Sequence, residues 1–301
     1  MCDIFMEKES HIFVQGRTKQ LISRGILAKK LTLLGFSSSE GYEFLINVYE
    51  DILNLKKETV LKEEIDNIIS SHLANSYNNT LANQYLKVEK WRDSNIPIWI
   101  LIAGAIGVGK STLSRTIAGD LGIQHVIGTD VVRDILRKIL SKEVVPELHS
   151  TSYNAFRSLR PIYSIRFDEV ILGFEYHSKY VNLGVDAVLS RAEKENVSIV
   201  IEGEHLLPSF FDELVLAKPN VLYMTISVPD PESHRKNLSL QYTKEKEELL
   251  ANFDNIRKIH DQLVKETQVR KLPLIESVKG LNTVKKVRKL VINKIVSLIT
   301  T

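Results

Sequence analysis

Six apolar residues, Ile98–Ala103, run straight into Gly104-Ala105-Ile106-Gly107-Val108-Gly109-Lys110-Ser111, and a helical pattern carried by Leu113, Ile117 and Leu121 follows. No other stretch restricts the fold so strongly. An apolar strand that turns through glycines into a helix belongs to a layered α/β structure, with helices on a parallel sheet. The glycines allow backbone conformations in which successive N–H groups point inward at an anion. The order G-x-x-x-x-G-K-[ST] then sets a lysine and a hydroxyl at the head of a helix, whose positive end faces the same place. Gly104, Gly107, Val108, Gly109, Lys110, Ser111 and Thr112 are therefore expected to cradle the phosphates of ATP. The Ser111 hydroxyl is expected to meet Mg2+ or another divalent cation.

Downstream, short apolar runs alternate with amphipathic helical stretches. The runs are Ile98–Ala103, His125–Ile127, Val197–Ile201, Val221–Val228 and Leu274–Ile275, and the texture predicts a parallel sheet flanked by helices. Ligands of such sheets bind at the carboxyl ends of the strands. Val284, Val287, Leu290, Val291, Ile295 and Leu298 predict a closing amphipathic helix.

Residues 1–92 read as a separate small, mostly helical domain, with the main domain at 93–301. Leu21, Ile22, Ile26, Leu27, Leu31 and Leu34 recur at helical spacing up to Gly35, Phe44–Leu53 mark a second helix, and Val60–Leu73 a third. Ala74–Thr80 is rich in Asn and Ser and reads as a loop, and Trp91–Asn95 as the approach to the main domain. Lys19 and Arg24 are best read as solvated helix charges.

Bulk properties exclude several classes. With a formal net charge of +3 over 301 residues, the chain lacks the basic surface of a nucleic-acid-binding protein. Its 1 cysteine, Cys2, forms no disulfide within the chain and builds no thiolate zinc site, which fits the cytoplasm. No apolar run approaches the ~18 residues of a membrane span, and no membrane partner is expected. Nothing in the sequence fixes the number of copies, so a homo-oligomer stays open.

Asp130 and Arg133, in Val126-Ile127-Gly128-Thr129-Asp130-Val131-Val132-Arg133, follow the second strand at a spacing that puts them on neighbouring faces of one mouth. A carboxylate at a strand tip can take the proton of an acceptor hydroxyl, and an arginine fork can hold a phosphate or carboxylate. Asp also caps helices, a plainer role that does not exclude the catalytic one expected of Asp130. Glu202, after Ser198-Ile199-Val200-Ile201, stands where a carboxylate can help Ser111 hold the cation, and Glu204-His205 follow it. His205 is open between substrate contact and a core histidine. Arg235, in Pro229-Asp230-Pro231-Glu232-Ser233-His234-Arg235-Lys236, falls where small-molecule kinases carry a lid cation. The catalytic candidates are thus Lys110, Asp130, Arg133, Glu202 and Arg235.

With these residues in place, the chain resembles the archaeal 2-phosphoglycerate kinase family over nearly its whole length. The matching passages are Gly16 to Leu27, the glycine-rich loop, Ile127–Arg133, Pro146–Tyr153 and Glu202–Pro208, of which the last three are more specific than the loop. The resemblance implies an ATP-cone-like N-terminal domain, a P-loop kinase core, and a small phosphorylated carboxylic acid as acceptor. One passage departs. The family's lid carries the form R-F-x-x-R with a further arginine, whereas this chain reads His234-Arg235-Lys236-Asn237-Leu238-Ser239-Leu240-Gln241-Tyr242. Each charge-assisted bond contributes about 1.5–3 kcal/mol, so a lid short of cations points away from a compact, multiply anionic acceptor. On that ground the first expectation follows a divergent relative of the family that the chain also resembles, mevalonate-3-phosphate 5-kinase, and the resemblance implies conversion of mevalonate 3-phosphate to mevalonate 3,5-bisphosphate in archaeal isoprenoid biosynthesis. The alternative is 2-phosphoglycerate with 2,3-bisphosphoglycerate as product. A rival from another class is an ATP-sensing module without catalysis, and a polynucleotide kinase would want a basic groove that the charge does not supply.

Overall fold

The computed structural model describes residues 12–15, 19–159, 168–240, 246–277 and 282–300. Cys2 and Gly16, with Gln241 and Tyr242 of the lid passage, lie outside the described residues. The chain divides into two compact units, Met1–Asn95 with Ile295–Thr301, and Ile96–Lys294.

The first unit runs β1 (Ile12–Gln15), β2 (Lys19–Ile22), α1 (Arg24–Leu31), α2 (Ser38–Asn54), β3 (Thr59–Leu61), α3 (Lys62–Ser76) and α4 (Asn79–Asp93). Its sheet has the order β2-β1-β3, antiparallel in the hairpin and parallel between β1 and β3. Leu27, Leu31, Leu45, Val48, Ile52, Ile65, Ile69 and Leu73 form its core. The start of α2 is fixed by a reciprocal cap: the Glu40 N–H donates to Ser37 Oγ at 3.2 Å, and the Ser37 N–H donates to Glu40 Oε2 at 2.7 Å.

Several expectations for this unit are corrected. Leu21 and Ile22 lie in a strand and Val60 in another, so the unit is helical with a small sheet. The loop expected at Ala74–Thr80 shrinks to Tyr77-Asn78, because the Asn78 side chain accepts the Leu81 N–H at 2.9 Å and starts a new helix at once. That helix continues to Asp93, and the units part after Asn95 rather than after residue 92.

The second unit runs β4 (Trp99–Ala103), α5 (Lys110–Leu121), β5 (His125–Gly128), α6 (Thr129–Ile139), α7 (Glu169–Glu195), β6 (Ile199–Gly203), α8 (Glu213–Ala217), β7 (Val221–Ser227), α9 (Pro231–Ser239), α10 (Lys246–Ala251), α11 (Phe253–Val269), β8 (Leu274–Glu276) and the first part of α12 (Asn282–Thr300), whose residues from Ile295 on belong to the first unit. The α/β class is as expected: all five strands form one parallel sheet in the order β5-β6-β4-β7-β8. Every residue of β4 and of β7 is buried, as strands covered on both faces must be. From β4 the chain crosses past β6 to β5, and from β6 it crosses back past β4 to β7. Adjacent strands whose connections leave in opposite directions open a crevice at their carboxyl ends, and here that crevice lies between β4 and β6. Arg288 of α12 grips Asp120 of α5 through two bonds of 2.7 and 3.1 Å, fixing the helix that the glycine-rich loop opens. Among the described residues no helix is long and apolar enough to cross a membrane.

Candidate active site

The cradle forms where β4 ends. Gly104, Gly107 and Gly109 all have positive φ, at 151°, 87° and 94°, so the loop needs residues without a Cβ. At Gly104 there is also no room for one, since a methyl would stand 2.7 Å from the Ile226 carbonyl oxygen. Lys110 opens α5, is buried, and donates from Nζ to the Ala105 carbonyl at 2.8 Å. Its charge is thus held back over the loop.

Ser111 and Glu202 meet across the crevice. Register pairs Ile102 of β4 with Glu202 of β6, and Gly128 of β5 with the same Glu202. The Glu202 side chain therefore emerges at the carboxyl end of β6, between the two neighbouring strand ends. There Ser111 Oγ donates to Glu202 Oε1 at 2.7 Å. A hydroxyl and a carboxylate oxygen converging beside the cradle are a donor set suited to a hard divalent cation. The sequence proposed this pair from two segments far apart, and the fold brings them into contact.

On the other side of β6, Thr129 begins α6 and Asp130 stands in its first turn. Asp130 caps nothing: the N-cap is Gly128, without a side-chain bond. Its carboxylate is mostly exposed, and Oδ1 lies 3.3 Å from Arg133 Nη1, one turn on. Arg133 is largely sheltered, at 17% side-chain exposure, and also reaches Asp134. The anticipated Asp–Arg pair is therefore present at one mouth.

Behind that pair lies a buried polar group the sequence reading passed over in part. Glu204 is 4% exposed and His205 fully buried. Thr129 Oγ1 lies 2.7 Å from His205 Nδ1, and Asn182 of α7 donates to the His205 carbonyl at 2.5 Å. His177 stacks on His205 with ring centroids 5.0 Å apart and planes 9° from parallel. The close approach of Thr129 requires Gly203, where any Cβ would overlap the threonine side chain. Burial, helped by the Arg133 and Lys110 charges, holds His205 neutral with its pKa down at about 3. Burial also raises Glu204 to about 7, with the negative charge of Asp130 adding to the rise and Lys110 and Arg133 opposing it. The Lys110 of the cradle and the Asp130 and Arg133 of the mouth thus act on one buried carboxyl. The signal for this group was the run Glu202-Gly203-Glu204-His205 itself, four polar or small residues where a buried strand ends.

The helix after β7 touches the cradle through a residue not among the candidates. His234 Nε2 donates to the Ile106 carbonyl at 2.7 Å, and Leu238 closes over Gly107. Burial lowers the His234 pKa, so a neutral ring makes this bond. Arg235 of the same helix instead lays its guanidinium 4.4 Å above the Phe253 ring. Beside the loop a cavity of about 390 Å³ is lined by Gly107, Gly109, Thr112, Leu113, Asn237 and Thr283, among others.

Comparison with known proteins extends the likeness to the whole chain. No protein-family model matches it. It is 33% identical over 276 residues to the 2-phosphoglycerate kinase of Methanopyrus kandleri, covering 90% of this chain and 84% of that one. Identity to the 2-phosphoglycerate kinase of Methanothermobacter thermautotrophicus is 32%, over 92% of this chain and 94% of the other. The enzyme of the same name from Pyrococcus furiosus matches at 32%, over 94% and 93%. Coverage of this extent takes in both compact units and not the phosphate cradle alone.

Proposed function

We infer the activity from one premise: this chain belongs to the 2-phosphoglycerate kinase family. It is a phosphotransferase, and its acceptor is read as a small phosphorylated hydroxy acid, with ATP as donor. Among such acids 2-phosphoglycerate takes first place, because the relatives bear its name; the mevalonate 3-phosphate expectation, which rested on the lid passage, draws no support from them.

The observation that carries this reading is geometric: beside the cradle Ser111 Oγ meets Glu202 Oε1 at 2.7 Å, and at the head of α6, after the strand that pairs with β6, Asp130 lies 3.3 Å from Arg133. In the mechanism, the loop amides and Lys110 hold the β- and γ-phosphates of ATP. Ser111 and Glu202 would hold Mg2+, which when bound would supply charge neutralisation at the phosphates. Arg133 orients the acceptor through its phosphate or carboxylate, where a guanidinium fork binds two oxygens. The acceptor hydroxyl oxygen then attacks the γ-phosphorus, its proton passes to an Asp130 carboxylate oxygen, and the bond from the γ-phosphorus to the bridging oxygen breaks to release ADP. Arg235, lying on Phe253, is read as a lid cation that turns inward when the nucleotide binds. The N-terminal unit is read as an ATP-cone-like module, and the protein as cytoplasmic.

An ATP-coupled assay with 2-phosphoglycerate, mevalonate 3-phosphate or no acceptor tests the proposal, with products located by phosphorus NMR. ADP release dependent on 2-phosphoglycerate, with a second phosphorus signal on the same carbon skeleton, is expected. Release dependent on mevalonate 3-phosphate alone would move the substrate assignment, and release independent of any acid would return the chain to the sensing class.

A further inference from the structure

Behind the acceptor mouth, Asp130, Glu204 and His205 each offer one ligand atom, and the three atoms all lie within 4.8 Å of one another. Three features single this cluster out from an ordinary group of acids. Glu204 and His205 are both buried. His205 Nε2 has no hydrogen-bond partner and lies 4.0 Å from Glu204 Oε1. The other ring nitrogen is already engaged with Thr129 Oγ1 at 2.7 Å, and the ring plane is held by the stacked His177. A polar atom buried without a partner costs about 1–3 kcal/mol, so its persistence points to a ligand it binds. A hydrogen bond on the far nitrogen is also how proteins orient a histidine that ligates a metal.

We propose that Glu204, His205 and one carboxylate oxygen of Asp130, its other oxygen left to take the acceptor's proton, form a binding site for a divalent transition-metal cation of the manganese, cobalt or zinc class, separate from the Ser111–Glu202 pair at the cradle. Two carboxylate oxygens and an imidazole nitrogen are the donor set such ions accept, whereas Mg2+ prefers oxygen alone. Arg133 competes for Asp130 at 3.3 Å; with the cation bound, its guanidinium keeps Asp134, also at 3.3 Å, and is released toward the acceptor. The site answers a difficulty in the proposed activity, on which this role rests. An acid entering the mouth meets the exposed Asp130 carboxylate, of its own sign, and a cation held there converts repulsion into a ligand position for the acid's oxygen.

The test needs neither nucleotide nor acceptor, so its failure is distinguishable from failure of the proposed activity. Metal-stripped full-length protein is titrated with Mn2+, and binding is read by electron paramagnetic resonance with pulsed detection of coupled nitrogen. The expected result is Mn2+ bound with an imidazole nitrogen in its coordination sphere. That nitrogen signal should vanish in His205→Gln. Affinity should fall about 10–100-fold in Asp130→Asn, whose exposed side chain leaves packing alone, and stay unchanged in Ser111→Ala. With 8 histidines in the chain, the variants carry the assignment. No nitrogen-coupled Mn2+ in the wild type, a coupling that survives His205→Gln, or an affinity untouched by Asp130→Asn would each overturn the site. Should His205→Gln fail to fold, the wild type and Asp130→Asn decide the matter by themselves.

Discussion

The two sides of the cleft are built in opposite ways. The cradle is made of consecutive residues, Gly104 to Thr112, whose shape is enforced by three positive-φ glycines and whose lysine is tied back to its own loop. The acceptor side is assembled from the start of α6, the exit of β6 and the middle of α7, and it holds together through Thr129, His205 and Asn182. One side is a local motif; the other exists only in the folded sheet. The difference teaches where each can fail. Damage to the cradle should remove chemistry and leave the fold, whereas damage to the acceptor side should reach the fold as well.

The largest expected effect is on the cradle. Lys110→Ala removes the cation nearest the transferring group and should lower turnover by about 10²–10³-fold in a steady-state assay, with little change in unfolding midpoint. Near-normal turnover would mean that the loop does not hold the reacting phosphates. On the opposite side, Gly203→Ala forces Thr129 away from β6 and should destabilise the protein by about 1–3 kcal/mol in urea. An unaltered urea midpoint would show that α6 yields freely and that the acceptor side is less tightly built than described.

A third test uses acid against the framework both sides share. His260 accepts the Val228 N–H at 3.0 Å, just where β7 leaves the sheet, and burial lowers its pKa from 6.5 to about 4. Between those values the unfolded chain binds a proton that the folded one refuses, so stability is lost as pH falls through this window. The loss is on the order of 3 kcal/mol, present in the wild type and absent in His260→Gln. Equal pH slopes for the two proteins in denaturant titrations would remove His260 from the account. The smallest effect concerns α9: His234→Ala deletes one bond to the Ile106 carbonyl and should raise the apparent KM for ATP about fivefold, with kcat nearly kept. A drop confined to kcat would assign His234 to the chemical step instead.

How much of this could be read in the chain follows the same division. The five strands of the main sheet, the cradle and the closing helix were legible because apolar runs bounded by glycine or turn residues leave few alternatives. Asp130 with Arg133, and Ser111 with Glu202, were legible as chemistry at strand ends, though only the sheet register explains why Glu202 reaches Ser111. Glu204 and His234 were not singled out, since their burial depends on partners on other elements. In the N-terminal unit, Leu21 and Ile22 have helical spacing from Ile26 and yet pair as a hairpin strand with β1. Short apolar segments do not distinguish the two periods, and tertiary pairing decides. Asn78 misled for a related reason: its side chain favours turns and helix starts alike.

The most direct measurement follows a labelled γ-phosphoryl group from ATP in the presence of 2-phosphoglycerate, comparing the wild type with Asp130→Asn. The wild type should deliver the label to the acid as a bisphosphate, and Asp130→Asn should do so about 10²–10⁴ times more slowly while still binding ATP. Label appearing only as inorganic phosphate, or reaching the acid at an undiminished rate in the variant, would contradict a cradle and an acceptor mouth working on one phosphoryl group.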